Sequence, residues 1–315
     1  MSNNLLRALI FASVMAMLLA ACGAAAPSAT QSPTKNNVPS TSIPEPTATL
    51  IPLGKISDRI AFTSTRNGNQ EIYVMNGDGT GLVNLTNNPA DDWEAVWSPD
   101  GQSLAFWTNR DGNEEVYLMK ADGSGQINLT NNPAIDGQPA WSPDGKHIAF
   151  NSNRDGTPDI FVMNADGSSP TNLTHNPADD GLPAWSPDGT KIAFASDPGG
   201  IRVMNADGSN PILLHAGSDA FPKWSPDGTK IAFWHDLGGN PEIFLMNADG
   251  SNPINLSNNP ADDGVWGWTS DGKQIVFDSN RAGNFDLYVM NFDGSGVNRL
   301  TDNPAEDTAP SLVQP

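Results

Sequence analysis

The sequence predicts an all-β fold: a six-bladed β-propeller of four-stranded antiparallel blades, closed by the C-terminal strand joining the first repeat. Three observations carry this. The string Trp-Ser-Pro-Asp-Gly begins at Trp97, Trp141, Trp185 and Trp224, and the variant Trp-Thr-Ser-Asp-Gly at Trp268, with separations of 44, 44, 39 and 44 residues. A second string, of the form Ile-Tyr-Val-Met-Asn-x-Asp-Gly, puts Met75, Met119, Met163, Met204, Met246 and Met290 in register. Short apolar segments alternate with Asp-Gly turns, in which glycine supplies the positive φ and aspartate tolerates it. A fixed period of this length marks a repeat architecture, and four strands per repeat mark propeller blades.

The third repeat shows the elements in order. Pro139-Ala-Trp141 is strand a, followed by Ser-Pro-Asp144-Gly145, and His147-Ile-Ala-Phe150 is strand b. Asn153-Arg-Asp155-Gly156 leads to Asp159-Ile-Phe-Val-Met163, strand c; Asn164-Ala-Asp166-Gly167 leads to Thr171-Asn-Leu-Thr174, strand d. Segments of three to six residues rich in β-branched and aromatic side chains are too short for helices. The first repeat begins at its b strand, Arg59-Ile-Ala-Phe62, with no strand a before it. Asn303-Pro-Ala-Glu-Asp307-Thr-Ala-Pro-Ser-Leu312 aligns with Asn132 to Trp141 and supplies that strand. One blade is thus expected from both chain ends, residues 57–86 and 308–313.

Trp-Ser-Pro-Asp-Gly, then Ile-Ala-Phe-x-Ser-Asn-Arg-Asp-Gly-Asn, then Ile-Tyr-Val-Met-Asn-Ala-Asp-Gly resembles the TolB-type propeller repeat. That repeat occurs in periplasmic TolB and in the propellers of dipeptidyl-peptidase-like and tricorn-like proteases. The resemblance covers about 260 residues and implies the six-bladed fold and a binding role. It does not imply membership of the Tol system: in place of TolB's N-terminal α/β domain stands a Pro/Thr-rich tether, and no α/β-hydrolase domain is expected.

Residues 1–21 read as a lipoprotein signal peptide. Arg7 ends a short n-region, and residues 8–21 form an apolar run too short to span ~30 Å of hydrocarbon as a stable helix. Leu19-Ala20-Ala21-Cys22 is similar to the bacterial lipobox, so Cys22, the single cysteine of the chain, is the expected lipidation site. Residues 22–55 carry the lipidated cysteine and a Pro/Ser/Thr-rich tether; residues 56–315 are the propeller. The expected location is therefore an envelope membrane, lipid-anchored on its periplasmic or outer-surface side.

Sixteen Lys+Arg against 36 Asp+Glu give the 315-residue chain a formal charge of −20. Such a surface repels nucleic acid and anionic headgroups, which leaves the lipid anchor as the expected membrane contact. One cysteine excludes an intrachain disulfide, and with four histidines it leaves no thiolate metal site.

Meander topology puts the a–b and c–d turns at one end of the blades, and the b–c loops and d-to-a connectors at the other. At that second end one position is acidic in every repeat: Asp92, Asp136, Asp180, Asp219, Asp263 and Asp307. Such a ring around one axis is expected to form an acidic binding face at the channel mouth, for a basic side chain, a peptide or a cation. The competing role is local pairing with the b–c-loop arginines Arg66, Arg110, Arg154 and Arg281, which blades 4 and 5 lack.

Shortened loops over blades 4 and 5 predict a notch on the same face, with His215 and Asp236 beside it and Asp219 and Asp263 without a local cation. His215 and His175 are read as one repeat position, replacing Asn87 and Asn131. Trp93 and Trp266, in the approach to strand a, are candidate ligand-stacking residues. Trp107 and Trp234, after strand b, are further candidates, with inter-blade packing as the alternative.

No Gly-x-Ser-x-Gly elbow, His-Glu-x-x-His motif or calcium-loop spacing is present. The leading expectation is a non-enzymatic, monomeric binding scaffold without a cofactor. Its partner is an envelope protein or peptide with basic residues, or a cell-wall glycan. The alternative is a saccharide-active lyase or hydrolase, which calls for two channel-mouth carboxylates about 5–9 Å apart.

Overall fold

The computed structural model describes residues 59–313. The expected signal peptide, Cys22 and the tether lie outside the described residues. Blade 1 contains β1 (Arg59–Ser64), β2 (Glu71–Asn76) and β3 (Val83–Asn84). Blade 2 is β4 (Asp92–Trp97), β5 (Ser103–Thr108), β6 (Glu115–Lys120) and β7 (Ile127–Asn128). Blade 3 is β8 (Asp136–Trp141), β9 (His147–Ser152), β10 (Asp159–Asn164) and β11 (Thr171–Asn172). Blade 4 is β12 (Asp179–Trp185), β13 (Lys191–Asp197), β14 (Gly200–Asn205) and β15 (Ile212–Ala216). Blade 5 is β16 (Asp219–Trp224), β17 (Lys230–Asp236), β18 (Pro241–Asn247) and β19 (Ile254–Asn255). Blade 6 is β20 (Asp263–Trp268), β21 (Gln274–Ser279), β22 (Asp286–Asn291) and β23 (Asn298–Arg299).

The last strand, β24 (Asp307–Leu312), pairs antiparallel with β1 and makes a four-stranded sheet in the order β24-β1-β2-β3. Closure by the C-terminal strand is as the repeats predict. The six a strands follow one another around the axis, each packed on the next.

Each sheet is half of a sandwich with its neighbour, so both faces of strands b and c are buried. Phe62, Phe106, Phe150, Phe194, Phe233 and Phe277 supply one fully buried ring per blade, and the six register methionines are buried beside them. At roughly 1.5–3 kcal/mol per buried large side chain, this layer is the main cohesive element of the ring.

The Ser-Pro-Asp-Gly turn repeats because it closes itself. Ser98 Oγ donates to Asp100 Oδ1 at 2.6 Å and accepts from Ser103 N at 3.0 Å, while Gly101 takes φ +67°. The glycine of the c–d turn has a second reason. A Cβ on Gly123 would lie 2.6 Å from the Leu85 carbonyl oxygen of the preceding blade, and Gly167, Gly250 and Gly294 repeat that approach. Adjacent blades are also tied by indoles: Trp185, Trp224 and Trp268 donate to the carbonyls of Ala140, Ala184 and Lys223.

Candidate binding site in the channel and at its mouth

Five of the ring aspartates open their a strands and Asp180 is second in its own; all six are buried, from 0 to 8% exposed. Each is paired in register with the last core position of its own strand b: Ser64, Thr108, Ser152, Ser196, His235 or Ser279. Four meet the expected arginine. Arg66–Asp307 and Arg110–Asp92 are 2.7 Å, Arg281–Asp263 2.8 Å and Arg154–Asp136 3.0 Å. Each guanidinium lies over the c-strand ring of its blade, Arg66 at 4.7 Å from Tyr73 and Arg110 at 4.7 Å from Tyr117. A connector asparagine (Asn88, Asn132, Asn176, Asn259 or Asn303) donates to Oδ2 of five of the six.

The expected acidic mouth is thus a set of internal pairs. Desolvated carboxylates need such partners, and the loops beside them provide them. At Asp92, Asp136, Asp263 and Asp307 a ligand would reach the carboxylate oxygens by displacing a guanidinium. Asp263 is a correction, since it holds Arg281. The two acids without an arginine are Asp180 and Asp219. Asp180 Oδ1 is buried with no hydrogen-bond partner, and burial raises its pKa against the lowering effect of Ser196, Asn176 and Thr174.

At Asp219 two imidazoles stand in: His215 Nδ1 lies 2.7 Å from Oδ2 and His235 Nδ1 2.6 Å from Oδ1. His215 is not in the position of His175. Leu214 occupies the place of Leu85, Leu129 and Leu173 against the following blade's turn glycine, so His215 aligns with Thr86, Thr130 and Thr174. The two-residue deletion in the connector moved the register. Asp236 caps its own loop by accepting from Gly239 N at 2.6 Å.

The aromatic candidates separate. Trp93 is buried and stacked on Trp107, 4.3 Å between centroids and 21° between planes, so it packs the a–b pair rather than facing a ligand. Trp266 is half-buried and lines the channel, 4.9 Å from Phe221, with the Lys223 ammonium 5.7 Å from its ring centroid. Its indole donates to Asp278 Oδ2 at 2.7 Å.

The channel encloses about 50 Å³, lined by the middle of the a strands: Glu94, Gln138, Leu182, Phe221, Lys223 and Trp266 among others. Glu94, Gln138, Leu182 and Phe221 take φ of +49° to +57°, and the register shifts beside them. The bulge turns these side chains onto the axis.

Glu94 and Lys223 are functional candidates that the sequence reading did not single out. Their signal was present: each is the one charged residue at its a-strand position across six repeats. Enclosure raises the Glu94 pKa to about 7; the attraction of Lys223 and the nearby Trp107 indole oppose that, and Glu114 adds to it. Enclosure lowers Lys223, with Glu94 opposing. Asp278, buried behind Trp266, is also raised to about 7 by burial, although the Ala309 amide and the Trp266 indole donate to it.

Because the folded pKa of Glu94 is above its unfolded value of 4.5, its ionisation opposes folding. That penalty is absent below about pH 4.5 and grows as pH rises to about 7. Glu94→Gln is therefore expected to melt like wild type at pH 4 and above it at pH 8, measured by circular dichroism. An equal shift at both pH values would contradict the assigned environment.

The TolB beta propeller domain matches this chain over residues 55–132, 125–215 and 210–314. The chain belongs to the TolB β-propeller family. A curated relative, the Tol-Pal system protein TolB of Geobacter sulfurreducens, is 41% identical over 51 residues, 16% of this chain and 12% of that protein. Among solved structures, TolB from Acinetobacter baumannii superposes with a TM-score of 0.72 at 21% identity, covering 83% of this chain and 68% of that one. An oligogalacturonate lyase in complex with manganese superposes at 0.56 with 17% identity, over 77% of this chain and 73% of the lyase. At these identities the structural likeness establishes the propeller. The strands, bulges and channel of this TolB-family domain are what a partner or ligand would meet.

Proposed function

We propose that this chain is a non-enzymatic cell-envelope lipoprotein whose propeller is a protein-binding scaffold, taking a side chain of a partner's peptide segment into its channel. The observation that carries this is the channel wall. Glu94 and Lys223 face one space beside Phe221 and Trp266, where each is drawn by the other's charge. A basic side chain meets Glu94, a carboxylate or carbonyl meets Lys223, and an apolar group fills the aromatic side.

A space of about 50 Å³ suits a side chain, whereas small-molecule sites run to roughly 300–1,000 Å³. This favours a peptide over the glycan and over the saccharide-active alternative. For that alternative speak the raised pKa values of Glu94 and Asp278. Against it, Asp278 is already held by two donors.

The relative's place in the Tol-Pal system supports an envelope location, and the lipobox-like residues 19–22 support the anchor. Cys22→Ser is expected to move the protein from the membrane to the soluble fraction on cell fractionation. Retention of that variant in the membrane would remove the lipoprotein reading. The binding role is tested by joining Glu94→Gln with Lys223→Met and measuring what the protein retains from envelope extract.

A further inference from the structure

The repeat provides its own control for an unusual site between blades 4 and 5. In five blades, strand c carries an acid at its first or second position (Glu71, Glu115, Asp159, Glu242 or Asp286) that accepts from a hydroxyl two residues past strand d (Thr86, Thr130, Thr174, Ser257 or Thr301). In blade 4 the acid is Gly200 and the hydroxyl is His215. In every blade but the fifth, strand b sets Ser64, Thr108, Ser152, Ser196 or Ser279 opposite the ring aspartate; in blade 5 that residue is His235.

The connector asparagine that serves five ring aspartates is missing before Asp219, where Gly217 and Ser218 stand, and so is the arginine. Five departures thus fall on one carboxylate. They also depend on each other. A Cβ on Gly200 would lie 2.2 Å from the His215 carbonyl oxygen and 2.8 Å from Asp219 Oδ2, and one on Gly217 would lie 3.1 Å from the His235 ring. Any acid at position 200 would close the space the imidazoles use.

The two rings fill the slot that a guanidinium fills elsewhere. His215 lies 4.9 Å from Phe233 and His235 4.8 Å from Phe244, the b- and c-strand rings of blade 5. One ring nitrogen of each imidazole and a carboxylate oxygen of Asp219 lie within 4.8 Å of one another. We propose that His215, Asp219 and His235 form a binding site for one divalent first-row transition-metal ion of the zinc class.

The donor set decides the class. Two imidazoles and one carboxylate suit zinc, cobalt, nickel or copper, whereas calcium and magnesium take oxygen ligands. Three protein ligands with a fourth position open to water is a common zinc arrangement, with Zn–N near 2.0–2.1 Å. Tetrahedral donors around such an ion are about 3.3 Å apart. The present N···O separations of 2.7 and 2.6 Å must therefore widen by roughly half an ångström as the ion replaces the bridging protons. Entry is open on the imidazole side, where His215 and His235 are 20% and 19% exposed, while Asp219 is wholly buried behind them. The site stands apart from the channel residues and does not depend on the function proposed for them.

Cobalt(II) is the probe. The purified full chain, stripped with EDTA, is expected to bind one equivalent of Co²⁺ with tetrahedral visible absorption. In proton NMR the ring resonances of His215 and His235 should shift strongly, and those of His147 and His175 should stay in place. His235→Ser, the residue found there in four other blades, should weaken Co²⁺ and Zn²⁺ binding at least ten-fold by calorimetry. His175→Asn should bind as wild type does. If His235→Ser fails to fold, the resonance pattern of the wild-type chain decides alone. Unmoved His215 and His235 resonances at millimolar Co²⁺, or equal affinity in a folded His235→Ser, would overturn the assignment.

Discussion

A chain ending at Asn303 is expected to lose the cooperative melting of the full domain. The deletion removes β24, the inner strand of blade 1, and with it the only ladder on the axial edge of β1. Leu312 leaves a core it shares with Ile60, Phe62, Met75 and Val289. Arg66 loses Asp307, its partner at 2.7 Å. Strand β24 also separates β4 from β20, so its loss opens the ring between blades 6 and 2. Domains hold only about 5–15 kcal/mol in total, and these losses together are of that order. A truncated protein that melts as one transition at the wild-type temperature would show that the ring closes by another route.

The second large effect is a contrast between two aspartates in the same repeat position. Asp92→Asn removes the charge partner of Arg110, 2.7 Å away, which is itself only partly exposed. Breaking a buried pair from one side costs about 3 kcal/mol, equivalent to roughly 6–12 °C for a domain of this size. Asp180→Asn should act in the opposite direction. Its carboxylate has no arginine, its Oδ1 has no donor, and burial raises its pKa. With the folded pKa above the unfolded one, the charged form opposes folding once pH exceeds the unfolded value. The Asn variant should therefore be more stable than wild type at pH 7, by an amount of order 1 kcal/mol, and show no gain near pH 3. Equal destabilisation by the two substitutions would mean that the missing arginine does not matter.

These contrasts mark how far the sequence can be read. The propeller, the blade limits and the closure were legible because every repeat states the same pattern, and Asp-Gly turns fix the hairpins. The Arg–Asp pairs were legible too, as loops on one face with opposite charge. Asp263 finds its cation within its own blade, in Arg281.

What stayed hidden was set by geometry that strings do not show. A bulge at Glu94 turns its side chain from the sheet onto the axis, while Trp93, one residue earlier, is turned into the sheet against Trp107. Trp266 reaches the channel because blade 6 places its register shift between Val265 and Gly267. The repeat position of His215 is hidden in the sequence because the shortened connector conceals an extended strand, β15, of five residues where other blades have two.

The central claim is that the channel wall recognises a partner peptide. Its most direct measurement is quantitative mass spectrometry of proteins retained from envelope extract, on wild type, on Glu94→Gln with Lys223→Met, and on Asp144→Lys with Asp188→Lys. The last pair lies in exposed Ser-Pro-Asp-Gly turns away from the channel wall. A specific protein is expected to be retained by wild type and by the turn variant, lost at least ten-fold from the channel variant, and weakened by added salt. Equal retention by the channel variant and wild type, or loss only from the turn variant, would contradict it.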